Sequence, residues 1–464
     1  MKNSFYLLSL GCPKNLVDSE KLTRRLCLSG LRPTREAEEA DTLIVNTCGF
    51  IEAARKESID EILGLAKLKG GKRRLLVFGC LSERYKEELQ AALPEVDAMW
   101  GVNAEEEIAR YMGTSADDAS ADDASADNTS ADNTSADNTS ADNTSADNTS
   151  ADNTSAEARP STFPYAYLKI SEGCRRRCSF CSIPLIRGPL RNYSPETILK
   201  EAEDYIRSGT KELILVSQDT ASYKVKGFTF SELLKDICSI PGDFWVRVHY
   251  LHPSGVDDSI LEAMAGEPKV ARYLDMPLQH SEQRILRLMS RGGGRRDFTK
   301  IINRARKMMP GLAVRTTFIV GFPGESEEEF EGVLDFIEET GFEHAGAFVY
   351  SKEEGTGAAR LPGQLPKAVK KRRWERFMRA QAAISLEKNK SLIGRGMTAL
   401  VDETDGKFAI GRLASQAPDV DGVVFIEDEK GALKPGDFAR VLVTEAQDYD
   451  LRGLSLSLKP AAQG

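Results

Sequence analysis

Short apolar runs alternate with amphipathic stretches along most of this 464-residue chain, and the alternation changes character twice. Near the amino terminus three runs start at Phe5, Thr42 and Leu75 and end at Cys12, Cys48 and Cys80. Charged, helix-like segments follow, such as 16–28 and 51–68. The cysteines are 36 and 32 residues apart, a separation that suits successive β-α units of an open parallel sheet. From 165 to 384 the pattern predicts strands at 165–170, 212–217, 245–251, 273–277, 314–320 and 346–350. Helices are predicted between them at 195–208 (N-capped by Ser194), 298–309 and 327–340. This alternation argues a second parallel sheet. From about 390 the helices stop, and five short β runs, at 397–401, 408–413, 422–426, 439–444 and 453–458, are separated by Asp, Gly and Pro. Five such strands suggest a small barrel of OB type.

One segment fits no element. Residues 116–155 repeat Ala-Asp-Asp-Ala-Ser twice and Ala-Asp-Asn-Thr-Ser six times. A period of five matches neither helix nor strand, and without bulky apolar side chains nothing offsets the entropy of ordering. The expected organisation is an open α/β domain at 1–113, a disordered linker at 114–160, a second α/β domain at 161–389 and an all-β domain at 390–464. The repeat also distorts the charge. It contributes ten aspartates and no base, and without them the net charge of −9 becomes +1. A global charge argument for nucleic acid therefore fails. Eight cysteines spread through a long chain, no leader-like start and no run of ~20 apolar residues predict a soluble cytoplasmic protein rather than a disulfide scaffold or a membrane span.

The chemistry lies in two cysteine sets. Cys174-Arg-Arg-Arg-Cys178-Ser-Phe-Cys181 follows the first strand of the second α/β region. Three thiolates so close together can hold three irons of a [4Fe–4S] cluster and leave the fourth iron open, whereas electron-transfer clusters use four cysteines. The alternative is zinc, which normally takes four ligands, and no fourth Cys or His lies nearby. Cys12, Cys48 and Cys80 end three strands whose carboxyl ends should line one crevice, so they should converge as a second three-cysteine site. The alternative for each is a small buried apolar residue. Cys27 and Cys238 are assigned to packing.

Two such sites, in this order, resemble the methylthiotransferases of the radical S-adenosylmethionine (SAM) superfamily. Gly11-Cys-Pro-Lys-Asn-Leu-Val-Asp-Ser-Glu20 is similar to the RimO-type branch, which modifies small-subunit ribosomal protein S-twelve. Tyr167-Leu-Lys-Ile-Ser-Glu-Gly-Cys174, Ile186-Arg-Gly-Pro-Leu-Arg191, Pro277-Leu-Gln-His280, Arg315-Thr-Thr-Phe-Ile-Val-Gly-Phe-Pro-Gly-Glu325 and Ala417-Pro-Asp-Val-Asp-Gly-Val-Val424 resemble it too. Arg175-Arg-Arg177 departs from a less basic interior, but no ligand is lost. The resemblance implies a partial (β/α)6 barrel, a C-terminal TRAM domain, two [4Fe–4S] clusters and SAM. It implies replacement of a β-C–H of an aspartate by a methylthio group, with an electron donor and a sulfur donor as partners. The rival enzyme reading is methylthiolation of a tRNA adenosine; the rival of another class is an iron–sulfur carrier or RNA-binding protein without turnover.

By the same resemblance, Phe180 packs on the cluster or the adenine, Gln218 lies near the SAM amino and carboxylate groups, and the Gly321 turn touches the adenosine. Phe180 could instead be core packing, and Gln218 part of a turn. Arg315, charged within an apolar strand, needs a partner: a SAM or substrate carboxylate, or Asp275 or Asp335 of the chain itself. His280 either borders the site or is a hydrogen-bonded structural residue. The basic stretch from Lys367 to Arg379 is read as a solvated helix face that packs Trp374 inward, with a ribosomal RNA contact as its alternative. Residues 395–459 carry eight bases and twelve acids. That balance should repel RNA and attract a basic ribosomal protein through Asp419, Asp421, Glu427 and Asp428.

Overall fold

The structure, a computed structural model, describes residues 4–71, 73–113 and 163–456. The expected linker at 114–160 therefore lies outside the described residues. At the amino terminus, strands β1 (Ser4–Ser9), β2 (Arg32–Pro33), β3 (Thr42–Thr47), β4 (Arg74–Gly79) and β5 (Ala98–Met99) form a parallel sheet in the order β2-β1-β3-β4-β5. Helices α1 (Pro13–Leu28), α2 (Glu52–Ala66), α3 (Cys80–Ala92) and α4 (Glu105–Gly113) cover it. The middle strands read as unbroken apolar runs because both faces are buried: Leu43, Ile44, Val45, Leu75, Leu76 and Val77 have no exposure, and a separate core lies on each side. The edge strands β2 and β5, two residues each, are too short to leave a periodic signal.

The second α/β region supplies β6 (Tyr165–Lys169), β7 (Glu212–Val216), β8 (Trp245–Val248), β9 (Tyr273–Asp275), β10 (Ala313–Val320) and β11 (His344–Val349). They are parallel in two runs, β6-β7-β8 and β9-β10-β11. A bridge from Val246 to Val270, just before β9, joins the runs into an open six-stranded barrel. Helices α5 (Pro195–Arg207), α6 (Phe230–Ser239), α7 (Asp258–Gly266), α8 (Arg295–Met308) and α9 (Glu327–Thr340) pack outside, and α10 (Lys367–Lys390) follows β11. Side chains alternate along each strand. Ala166, Leu168, Leu213 and Leu215 join the outer core, whereas Tyr165, Tyr167, Ile214 and Val216 meet Val17 of α1 on the other face. The amino-terminal domain thus packs α1 against the edge strand of the open barrel. Strand β8 ends earlier than its apolar run because Tyr250 adopts φ +61°.

Strands β12 (Gly396–Thr404), β13 (Phe408–Leu413), β14 (Val424–Glu427), β15 (Phe438–Ala446) and β16 (Leu451–Ser455) close a small barrel in the order β12-β13-β14-β16-β15. The fold class is thus the expected one: an open parallel α/β domain, a partial (β/α)6 barrel and a closed OB-like barrel.

One expectation is corrected here. Three of the four acids assigned to a partner-binding surface are bonded within the chain, two of them because the 412–421 segment docks on the amino ends of the large barrel's strands. Asp421 accepts from the Tyr273 hydroxyl at 2.6 Å, and its other oxygen lies 3.4 Å from Arg315 Nε. Asp419 accepts from Tyr167 at 2.8 Å and Tyr165 at 3.2 Å. Buried Asp428 accepts from the backbone N–H groups of Ala432 and Leu433. Asp419 and Glu427 are both exposed, Asp419 while bonded to the two tyrosines and Glu427 with no side-chain bond among the described residues.

The basic helix α10 keeps Lys367, Lys371, Arg372 and Arg379 on a solvated face, as expected, but Trp374 stays 37% exposed instead of packing inward. Arg373 donates to Glu325 at 2.6 Å and to Glu327 at 2.8 Å, Arg376 pairs with Glu327 and Glu331, and Trp374 donates to the Ala347 carbonyl at 2.8 Å.

Candidate active site

Parallel β3 and β4 bring Thr47 directly opposite Gly79, so the next residues, Cys48 and Cys80, emerge side by side at the carboxyl edge of the sheet. Strand β1 pairs with β3 on the other side and delivers Cys12 to the same edge, at the amino end of α1. Gly11 has φ +93°, and a Cβ there would stand 2.7 Å from that of Cys48; only glycine permits both the turn and the approach.

Asn15, one turn into α1, holds the crevice shut. It donates to the carbonyls of Leu10 (2.8 Å) and Thr47 (3.0 Å), and its oxygen lies 3.6 Å from Cys80 Sγ. Burial pushes the Cys80 thiol up to about 12 and also raises Cys48. At Cys12 burial acts the same way, but Lys14, Arg187 and backbone N–H groups outweigh it and lower the thiol. All eight cysteines are free thiols.

The second trio lies on one loop. Cys174 follows β6 and accepts a long hydrogen bond from the Arg176 N–H at 3.4 Å; the Cys181 N–H donates to the Cys178 carbonyl. Burial raises Cys174 and pushes Cys181 up to about 12. Phe180 packs against the barrel core. Arg176 donates to Asp219 at 2.7 Å and Ser254 at 2.9 Å, which ties the loop to the ends of β7 and β8. Arg291 lies 3.6 Å from Cys178 Sγ and donates to the Pro277 carbonyl.

Gln218 ends β7 and donates to Glu172 at 2.9 Å, while Gln218 Oε1 and Asp219 Oδ1 are buried with no partner among the described residues. Two buried acceptors beside a cysteine loop fit a ligand that brings an ammonium group, as SAM does.

The two trios share a charged seam that the sequence reading missed. Lys169 pairs with Asp18 of α1 and with Glu172. Arg187 binds Asp18 (3.1 Å), Glu172 (2.9 Å) and Asn15 (2.6 Å), all buried. A signal existed: Lys169 is a charge in an apolar strand, and Lys14, Asn15 and Asp18 recur at helical spacing.

Other candidate residues take up the structural alternatives named for them, Gly321 excepted. Arg315 is held by Asp275 (3.3 Å) and Asp421, toward the barrel floor. His280 is buried in hydrogen-bonded packing, its Nδ1 accepting from the Glu282 N–H. Gly321 has φ +74° and a Cβ there would collide with Lys370 of α10 at 2.5 Å, so the space beside it is filled by the chain itself. Cys27 and Cys238 pack in cores.

Both cysteine sets have the donor chemistry of an iron–sulfur cluster. Among the described residues no three His, Cys, Asp or Glu side chains are close enough to share one ion. A cubane asks less, since each cysteine meets a different iron.

Comparison with known families follows the same three-part division. The radical SAM superfamily profile matches residues 168–337, the TRAM domain profile 393–455, and a family described only as uncharacterized, UPF0004, matches 4–101. A protein of Thermodesulfovibrio yellowstonii named ribosomal protein uS12 methylthiotransferase RimO is 46% identical over 98% of this chain and 100% of its own length. Proteins of the same name from Pelotomaculum thermopropionicum and Thermotoga maritima are 42% and 40% identical, each over 96% of this chain and 98% of their own. Among solved structures, the radical SAM methyltransferase TsrM of Kitasatospora setae superposes with a TM-score of 0.56 at 13% identity, covering 88% of this chain and 82% of that one, a likeness of fold.

Proposed function

Since this chain belongs to the ribosomal protein uS12 methylthiotransferase family, we propose that it inserts a methylthio group at the β-carbon of an aspartate in that ribosomal protein. The observation that carries the reading is full-length identity of 46% joined to two three-cysteine sets that face one domain seam. As a radical SAM protein it uses SAM and a [4Fe–4S] cluster, which together supply, when bound, a carbon radical able to take hydrogen from the target carbon. Cys174, Cys178 and Cys181 would hold that cluster. Cys12, Cys48 and Cys80 would hold a second one, the site to which sulfur is brought.

The chain's own residues organise the space between. The buried, unpartnered acceptors of Gln218 and Asp219 support a role in taking the SAM ammonium group. Phe180 covers the loop from the barrel side. Asp18, Glu172, Lys169 and Arg187 lock the two domains in register, and Glu353 adds a second clamp through Arg55 and Arg84. Such buried ion networks fix geometry more than they add stability. Electron and sulfur donors come from outside the chain, in the cytoplasm. Among the described residues no helix is long and apolar enough to cross a membrane.

The test is anaerobic incubation of reconstituted protein with SAM, reductant, sulfide and either the ribosomal protein or tRNA, followed by mass spectrometry. One methylthio group on a single aspartate is expected. A modified tRNA adenosine with an unmodified protein overturns the reading.

A further inference from the structure

We infer that Lys14 receives the side-chain carboxylate of the substrate aspartate and so selects an acidic residue at the site. The inference rests on the substrate reading above. An acid-binding site needs a cation at the seam that is not already neutralised. Arg187 is committed to Asp18 and Glu172, and Lys169 to the same two acids. Arg176 is paired with Asp219, and Arg315 with Asp275 and Asp421. Arg291 donates to the Pro277 carbonyl and leans on Cys178.

Arg175 and Arg177 on the cysteine loop are exposed to solvent, and Lys14 differs from all of these. It is 8% exposed, none of the described residues gives it a carboxylate partner, and the one anionic group it favours is the Cys12 thiolate two residues away, which leaves its other N–H donors without an acceptor among the described residues. Its ammonium lies 4.3 Å from the centre of the Tyr250 ring. An ammonium buried without a carboxylate partner is costly, and a cation–π contact offsets only part of that cost.

Its position ties it to both trios. It stands two residues after Cys12, in the first turn of the 16-residue helix α1, where the helix dipole also favours an anion. Tyr250 beneath it ends β8, and the Tyr250 carbonyl accepts from the N–H of Thr220, which adjoins Asp219 and so the Cys174 loop. A carboxylate seated on Lys14 would therefore lie between the two cysteine sites. The aspartate β-carbon is one bond from that carboxylate. The neutral base of an adenosine could accept a hydrogen bond from such a cation but would not balance its charge.

The experiment measures dissociation constants of the reconstituted enzyme for a synthetic peptide that carries the target aspartate and for the same peptide with asparagine. Lys14→Met should weaken the aspartate peptide about ten- to hundred-fold and leave the asparagine peptide unchanged, the loss expected of one charge-assisted hydrogen bond. Lys14→Arg should restore most of the affinity. Equal losses for both peptides, or no loss for either, would overturn the inference. Loss of iron in both variants would also overturn it, by making Lys14 a support of the cysteine crevice. Failure of the unaltered enzyme to methylthiolate the aspartate peptide would instead defeat the substrate reading, a result independent of these affinities.

Discussion

At the floor of the six-stranded barrel each carboxylate has a partner. Glu212, fully buried, accepts from Arg247 and Arg412 at 2.6 Å each; Arg412 also grips Asp402; Asp421 and Asp419 take tyrosine hydroxyls and, for Asp421, Arg315. The mouth of the same barrel is unfinished. Gln218 Oε1 and Asp219 Oδ1 accept nothing from the described residues, Lys14 has no carboxylate partner there, and six cysteines are free of disulfides. At the floor every one of the carboxylates named is paired, and the one orphaned atom among their partners is a donor, Arg247 Nη2; at the mouth the orphaned atoms are acceptors beside the cysteine loop. The contrast separates what the charges of this fold do: those of the floor join the C-terminal domain to the barrel, and those of the seam join the amino-terminal domain to its mouth, beside acceptors left open.

The largest effects should come from the mouth. The two proposed clusters would give about eight irons per chain. Replacing Cys174, Cys178 and Cys181 together by Ala should leave about four irons and abolish SAM cleavage. Replacing Cys12, Cys48 and Cys80 should also leave about four, yet spare reductive SAM cleavage while stopping sulfur insertion. Iron analysis and assay of 5′-deoxyadenosine check both. An N-terminal triple variant that keeps all its iron would remove the second cluster and half of the contrast with it.

The floor predicts the opposite profile, a stability loss with the cluster sites intact. Glu212→Gln leaves two buried guanidinium groups facing a neutral amide, a change that typically costs about 3–5 kcal/mol. Burial alone would raise the Glu212 carboxyl, but Arg247 and Arg412 outweigh it and hold it below the ordinary range. A depressed carboxylate stabilises the fold above its unfolded pKa, and that contribution fades as pH falls through the folded value. Stability of the cluster-free chain should therefore drop on acidification below about pH 4.3, and less steeply in Glu212→Gln. Urea midpoints across acidic pH give the comparison; identical slopes would show that the floor network does not carry this linkage.

The two ends were not equally legible in the sequence. Cys174, Cys178 and Cys181 lie on one loop, so their spacing alone reveals them. Cys12, Cys48 and Cys80 were legible one level up, because strand ends of a parallel sheet share an edge. Asn15 and Asp18 were missed since polar residues at helical spacing look like a solvated face; what buries them is a second domain. The 414–421 loop misled for a related reason. Its Asp, Pro and Gly read as surface, and the counter-signal lay in other segments, in Tyr165, Tyr167, Glu212, Arg247 and Arg315 at the starts of apolar strands.

The smallest expected effect tests what remains of the acidic surface. With Asp419, Asp421 and Asp428 engaged by the chain itself, a basic ribosomal protein must be met by acids that stay outside, and Glu427 and Glu429 are exposed neighbours at the end of β14. Reversing both to Lys removes no internal hydrogen bond of the floor. Stability should then move by no more than about 0.5 kcal/mol, in contrast to Glu212→Gln. Complementary charge mainly speeds encounter, so association with the ribosomal protein should slow several-fold at low salt. The difference from the unaltered enzyme should vanish as salt screens the field. Stopped-flow association at two ionic strengths reads both outcomes. Equal rates at low salt would mean that this face of the C-terminal domain does not guide the partner, leaving recognition to the mouth.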